Sequence, residues 1–431
     1  MLMAQEIKAP EKMSQDQLDA LVDLHNRFLD GRLGGRKAIL DSVDLRGLSL
    51  KGKNLRQASF SGCSMEYMNL SFANFQEASL YACDLSNSNL FKAIFIRSDL
   101  RGARIENANL EGADLESADL RVGGIAKDGE YSVSSNAVNF RGANLSGAKL
   151  TGSMASNADF SDASLAGANI NKADLRGATL EGANLSNADI GGAKLDGANI
   201  KSAIFTGVDS SDLKDTGADF SSSITDDNVG MSVSELSEPL PKLLEYHRDW
   251  LKSRGESGKQ LDLATIDLRV LGSLKMEQLT AIKADNAMFF GMNLYKVQMQ
   301  SAVLNGSDFR DCDLEEADLR GSSFCGANFS HSSLKNANCS ALMLGAGGTS
   351  RFNPCDFSGA NLRYTDISGA VLKNANFKNA DLSFADLSGC DLQGADFSGA
   401  KMNDTNLDDV QTDGATFDRD KDKPVFRIPT E

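Results

Sequence analysis

Residues 108–120 read Ala108-Asn109-Leu110-Glu111-Gly112-Ala113-Asp114-Leu115-Glu116-Ser117-Ala118-Asp119-Leu120. Leucine returns at every fifth position. Asp or Asn stands just before it and Ala two before it. Five fits neither the 3.6-residue period of a helix nor the two-residue period of a continuous strand. It fits three extended residues followed by a two-residue corner. In the extended part the Ala and the Leu point inward and the Asp or Asn points out. The corners are rich in Ser, Gly, Asn and Arg, as turns prefer.

The pattern extends far beyond this stretch. Stepping by five from Leu40 meets seventeen large apolar residues in succession, ending at Leu120. It resumes at Phe140 and runs to Phe205 with Ala155 as the lapse, then from Leu274 to Leu344, then from Phe357 to Phe417 with Thr412 as the lapse. The phenylalanines show how many pentads close one coil. Phe357, Phe377, Phe397 and Phe417 are spaced by 20, as are Phe289, Phe309 and Phe329, Phe75 with Phe95, and Phe140 with Phe160. Four pentads per coil would stack like on like, which aromatic rings favour. A small square cross-section also explains why only Ala, Ser, Cys or Gly fits two residues before the centre. Pro is nearly absent from the arrays, because each coil is expected to pair its backbone N–H groups with the next.

Over roughly three quarters of its length the chain resembles the pentapeptide-repeat family, on the consensus Ala-(Asp/Asn)-(Leu/Phe)-x-x. The resemblance implies a right-handed quadrilateral β-helix. The expected fold class is therefore an all-β solenoid of two such β-helices with short α-helical caps.

The breaks define the expected domains. Residues 1–37 are an N-terminal segment with a capping helix, and 38–222 the first array. Residues 223–260 are a linker with a second capping helix, 261–418 the second array, and 419–431 a tail. Residues 121–137 read as a polar loop, with a degenerate coil as the alternative. Leu344 to Phe357 is 13 residues. Removing eight would put Phe357 on the column of Phe329, so 345–352 reads as an eight-residue loop. Ser14 and Gln17 form a capping box, and Met13 with Leu18 a hydrophobic staple. The spacing of Leu18, Leu21, Val22, Leu24, Phe28 and Leu29 predicts a helix. A second helix follows Ser237-Glu238-Pro239, with Leu240, Leu243, Leu244, His247, Trp250 and Leu251. His25 matches His247, Phe28 matches Trp250 and Leu29 matches Leu251, so an internal duplication is expected, each helix covering the open end of an array.

The 431 residues carry 60 acids against 44 bases, a net charge of −16. That argues against direct nucleic-acid binding and against an anionic membrane surface. No apolar run approaches the ~20 residues of a membrane helix, so no membrane insertion is expected. Met1 to Glu11 lacks the apolar core of a secretory signal. Seven scattered Cys without a C-x-x-C read as thiols in a reducing cytoplasm.

No chemistry stands out. His25 and His247 occupy equivalent places on the capping helices and read as structural. His331 lies at a corner beside Ser330, Ser332 and Ser333, without the third group a catalytic pair needs. Cys63, Cys83, Cys312, Cys355 and Cys390 take the small inward position, Cys339 replaces a central Leu, and Cys325 points outward. Cys63 and Cys83, 20 apart, are expected as neighbours. Gly345-Ala346-Gly347-Gly348 lacks the Lys of a phosphate loop. Asp308, Asp311, Asp313, Glu315, Glu316 and Asp318 face successive sides, so they should not converge on calcium.

The expectation is a non-enzymatic chain with no catalytic, cofactor or metal residues: a scaffold or protein-interaction module with an unidentified protein partner. The alternative is an acidic DNA mimic acting on DNA gyrase, as the resemblance allows. The first array is nearly charge-balanced and the second more acidic. A monomer is expected, closed by Val425, Phe426 and Ile428, with a dimer through the C-terminal coil as the alternative.

Overall fold

The computed structural model describes residues 11–127, 130–227, 229–344 and 351–418. The chain divides into two compact units, unit 1 covering Met1–Asn228 and unit 2 covering Val229–Glu431.

The expected all-β solenoid, and with it the β-helix description, is corrected by the backbone. Among the described residues, regular strands are two to seven residues long and form five separate two-stranded sheets, none curled or closed. The repeat regions are mostly turns and irregular backbone joined by single-residue parallel bridges. The physical reason lies in the five-residue period. A two-residue corner in every pentad leaves three extended residues, of which, past the three-residue pairing of Ile39–Asp41 with Ser59–Ser61, only the one before the centre bridges, so strands stay short. The second corner residue often takes a positive φ, as at Tyr67 (60°), Asn87 (59°) and Gly112 (64°), and this breaks the extended run.

The 20-residue interval is nonetheless the organising distance. Bridges run Asp44↔Ser64↔Asp84↔Arg104 and Asn54↔Asn74↔Ile94↔Asp114, each step linking one rung to the next. Around each bridge the amide of Leu55 donates to the Asn74 carbonyl and that of Asn74 to the Lys53 carbonyl. The residue before each centre is Asp or Asn for a local reason. Its Oδ1 accepts the amide two residues on, as Asn74 does from Gln76 at 2.9 Å and Asp396 from Ser398 at 3.0 Å, which fixes the corner. At several corners glycine leaves room for the side chain of the preceding rung. A Cβ on Gly177 would stand 2.5 Å from Oδ1 of Asn157 in the preceding rung, and one on Gly399 2.3 Å from Oδ1 of Asn379.

The centres are buried and stack. Phe289, Phe309 and Phe329 lie 4.5 and 4.8 Å apart, centroid to centroid, and nearly parallel. Phe357, Phe377, Phe397 and Phe417 form a second file at 5.1, 4.8 and 4.9 Å. Burying each such side chain contributes about 1.5–3 kcal/mol relative to exposure. At several places a Ser or Cys in the small inward position staples two rungs. Ser88 Oγ donates to the Met65 carbonyl at 2.7 Å, and Cys312 Sγ to that of Phe289 at 3.0 Å.

Two insertions interrupt the ladder. Arg104 bridges Asn139 and Asp119 bridges Met154, partners 35 residues apart instead of 20. Fifteen residues are therefore extruded, and within them Gly123–Lys127 pairs antiparallel with Glu130–Asn136. This is a hairpin, not a degenerate coil. In unit 2, Ser323 bridges Asp356 and Asn338 bridges Val371, 33 apart. Thirteen residues are extruded, not eight. Phe357 stacks on Phe324 at 5.1 Å and meets Phe329 only edge-on at 5.6 Å. The eight-residue arithmetic failed because it matched one Phe to another rather than one bridge to another. Leu342–Leu344 pairs antiparallel with Arg351–Asn353 at the base of this insertion, and 345–350 lies outside the described residues.

Each unit begins with a helix laid on its first rung. Helix α1, Gln15–Leu29, carries the expected capping box of Ser14 and Gln17. Leu18, Val22 and His25 are its buried face. Unit 1 later adds the short helix α2, Ser210–Asp215. In unit 2, α3, Leu240–Lys252, buries Leu240, Leu244 and His247. A short strand before each helix, Glu11–Lys12 and Met231–Ser232, pairs in parallel with the first rung, at Val43–Asp44 and Ile266–Asp267. Unit 1 is closed at its other end by Phe220, which packs edge-on against Phe205 at 4.9 Å.

Candidate interaction surface

The residues singled out in the sequence do not come together. His25 Nδ1 accepts the Ala38 amide at 3.0 Å, and its Nε2–H donates to the Arg56 carbonyl at 3.0 Å. His247 repeats this with the Leu261 amide at 3.1 Å and the Thr280 carbonyl at 3.0 Å. That pattern fixes a neutral imidazole. Burial holds both pKa values below the ordinary 6.5. Both rings tie a helix to its first rung. Phe28 and Trp250 only stack on these imidazoles, at 5.9 and 5.7 Å. Phe28 is 39% exposed, so the cover on the first rung comes from Leu18, Val22 and His25 instead.

Six of the seven Cys are buried and Cys325 is exposed. Burial raises the pKa of Cys83, Cys312 and Cys355, and pushes that of Cys390 up to about 12. These protonated thiols behave as small hydrophobes rather than nucleophiles. The Cys63 and Cys83 thiols interact, as their spacing suggested.

The acidic cluster disperses. Asp308 is held by Arg310, Asp318 by Arg320 and Glu316 by Lys296. No group of three or more His, Cys, Asp or Glu that could hold a metal occurs among the described residues. Gly345–Gly348 lie outside them. A shallow open cleft of about 300 Å³ is lined by Arg101, Arg121, Val122, Ser156 and Asn157. Both arginines are already engaged by Asp99 and Asp119. No described helix is long and apolar enough to cross a membrane.

What recurs outside is a set of charge pairs folded back on their own turn. In Asp44-Leu45-Arg46, Asp99-Leu100-Arg101, Asp174-Leu175-Arg176 and Asp318-Leu319-Arg320 the guanidinium binds both carboxylate oxygens two residues earlier. Arg46 thereby holds Asp44 near a pKa of about 2. The sequence reading missed this motif, although Asp-Leu-Arg was legible as a repeated tripeptide.

A second feature was also missed. His331, Tyr364 and Phe384 stand on one line of corners in unit 2. Their rings are 4.9 Å apart at each step and within 8° of parallel. Arg363 lies 5.5 Å from the centroids of both Tyr364 and Phe384. The signal was hidden because only the centres were followed, and because the insertion moves Tyr364 33 residues from His331.

The family described as pentapeptide repeats matches eight segments: 38–76, 69–107, 83–121, 143–182, 173–209, 312–342, 355–394 and 390–418. No curated protein matches the chain. Among solved structures, the chain is similar to HetL, a pentapeptide repeat protein involved in heterocyst differentiation regulation from the cyanobacterium Nostoc sp. The identity is 18% over 94% of this chain and 96% of that one, with a TM-score of 0.18. It is also similar to QnrB1, a plasmid-mediated fluoroquinolone resistance protein, at 21% identity over 44% and 92%, TM-score 0.25. A pentapeptide repeat protein of the Arabidopsis thaliana thylakoid lumen shares 20% identity over 37% and 68%, TM-score 0.09. The superpositions are poor, and the family match alone carries the assignment. It covers more than half of the residues, and the bridges at 20-residue intervals give it a physical basis: this chain belongs to the pentapeptide-repeat family.

Proposed function

We propose that the protein is a non-catalytic scaffold, a protein-interaction module acting as a monomer in the cytoplasm. Its two arrays, 38–222 and 261–418, would present their outward residues to a partner. The observation that carries this reading is the alignment of those residues. Bridges such as Asp313↔Ser333↔Asp366↔Asp386↔Asn406 set successive outward residues one above the other. Repeated units that fix side chains in columns make extended binding faces. The buried thiols fit a reducing compartment.

The gyrase-directed mimic is the less favoured reading. A phosphate mimic needs uncompensated carboxylates at regular intervals. Here Asp44, Asp99, Asp119, Asp174, Asp267 and Asp318 are each neutralised by an arginine two residues on.

The test is affinity capture from the native cell with the full chain as bait, followed by cross-linking. A specific protein retained through outward residues supports the scaffold. Inhibition or protection of gyrase supercoiling at equimolar protein would replace it with mimicry.

A further inference from the structure

We propose that the corner ridge His331–Tyr364–Phe384, with Asp366 and Asp386 beside it, docks a basic, arginine-bearing extended segment of a partner protein. The proposal deepens the scaffold reading and rests on it.

The first argument is conformational. Tyr364 and Phe384 have φ of 57° and 64°. Bulky residues adopt this region at a cost in strain, and such strain gathers at functional sites. Many corners take Gly, Asn, Asp or Ser, as at Gly359, Asn374, Asn379 and Asp404, and others carry longer side chains, as at Tyr67, Phe72, Met276 and Lys296. In the same line, Asp311 precedes His331 and Asp404 follows Phe384, also with positive φ. The fold therefore accepts polar corners in this line, where Tyr364 and Phe384 instead put two aromatic rings on adjacent rungs.

The second argument is chemical. Parallel rings 4.9 Å apart cover one another's inner faces and leave the ring edges and the outer faces of His331 and Phe384 on a half-exposed ridge. Arg363, spread over two of them, shows that the ridge suits a guanidinium. Two residues beyond Tyr364 and Phe384 stand Asp366 and Asp386, bridged to each other. Each uses Oδ1 to accept a corner amide, from Ser368 at 3.0 Å and Ser388 at 2.8 Å. Neither takes part in an ion pair among the described residues. Their neighbours do: Asp381 pairs with Arg363 and Lys401, Asp391 with Lys373, and Asp396 with Lys378. Uncompensated carboxylates beside aromatic faces complement a cation with an apolar stem. The same carboxylates repel phosphate, which disfavours nucleic acid. An extended segment along the ridge would bring alternate side chains every ~6.8 Å, so two alternating arginines fall within the length of the three stacked rings.

The test is fluorescence anisotropy of the full chain with a labelled (Arg-Gly)5 peptide, against (Glu-Gly)5. Three double variants are compared: Tyr364→Asn with Phe384→Asn, Asp366→Asn with Asp386→Asn, and Asp408→Asn with Asp413→Asn, which removes the same charge elsewhere in unit 2. Asn already occupies corners at Asn336, Asn374 and Asn379, so the aromatic pair should fold with unchanged or higher melting. The proposal expects salt-sensitive binding of the arginine peptide, weakened at least tenfold by each ridge pair and less than twofold by the control. No binding at low salt overturns it. So does equal binding of the glutamate peptide, or an aromatic pair that binds like the parent. Capture of a native partner that survives the aromatic substitutions sinks this site and leaves the scaffold standing. Peptide binding at the ridge with no native partner captured sinks the scaffold instead.

Discussion

At the start of unit 1, His25 joins α1 to the Ala38 amide and the Arg56 carbonyl. At the start of unit 2, His247 joins α3 to the Leu261 amide and the Thr280 carbonyl. The far ends differ. In unit 1, Phe220 closes on Phe205, which is fully buried. In unit 2, Leu407, Val410 and Phe417 are only partly buried in the last described rung. The interiors differ as well. Among the described residues, unit 2 stacks phenylalanines in files of three (Phe289 to Phe329) and five (Phe324 to Phe417), whereas unit 1 stacks the pairs Phe75–Phe95 and Phe140–Phe160. The first rung needs the same partner in both units, because its exposed amides and apolar edge are set by the repeat. The last rung depends on whatever sequence follows.

The largest effect is expected inside the aromatic file. Phe309 touches Phe289, Phe324 and Phe329, so Phe309→Ala should cost about 3–5 kcal/mol. Denaturant unfolding followed separately in each unit should show the loss in unit 2 alone. An equal shift in both units would mean that they do not unfold separately.

The two ends give a sharper contrast. Phe220→Ala should destabilise unit 1 by about 2–3 kcal/mol, whereas Phe417→Ala should cost about 1 kcal/mol, its ring having one neighbour on a half-open rung. Equal losses would show that the last rung of unit 2 is as tightly closed as that of unit 1.

The shared caps come next. His25→Ala and His247→Ala each strand a buried amide and should cost about 1–2 kcal/mol. Both imidazoles have folded pKa values below the unfolded 6.5. Above pH 6.5 both states are neutral and the stability is complete. As pH falls below 6.5 the unfolded chain protonates first, and stability drops until the pH passes the folded pKa. Charged Lys37 near His25 favours the neutral ring further. The denaturation midpoint should therefore fall between pH 7 and 5. A His25→Gln/His247→Gln variant that kept the same slope in this window would remove the histidines from the account.

The smallest effect concerns register. Deleting Ala341–Asn353 restores the 20-residue interval between Asn338 and Val371 and should change stability by under about 0.5 kcal/mol. A large loss of unit 2 stability would show that the hairpin base supports the ladder.

Much of this was legible in Ala-Asp-Leu repeats. The period of five, the buried centres, the aromatic file and the interval of 20 follow from which side chains are large, small or polar, because packing selects on volume and burial alone. The capping box at Ser14 and Gln17 was legible too, being local. The strand content was not. The family resemblance implied an all-β solenoid, but the pentads are joined mostly by single-residue bridges, and only backbone geometry shows that. The 13-residue length of the second insertion was misread because two different phenylalanines offered plausible partners and only the bridges distinguish them. The ridge of His331, Tyr364 and Phe384 is a property of three rungs brought into line across an insertion. The sequence by itself determined what is buried and at what interval. The tertiary structure decided which rung lies on which, and so which outward side chains become neighbours, because that depends on backbone bonds between residues 20, 33 or 35 apart.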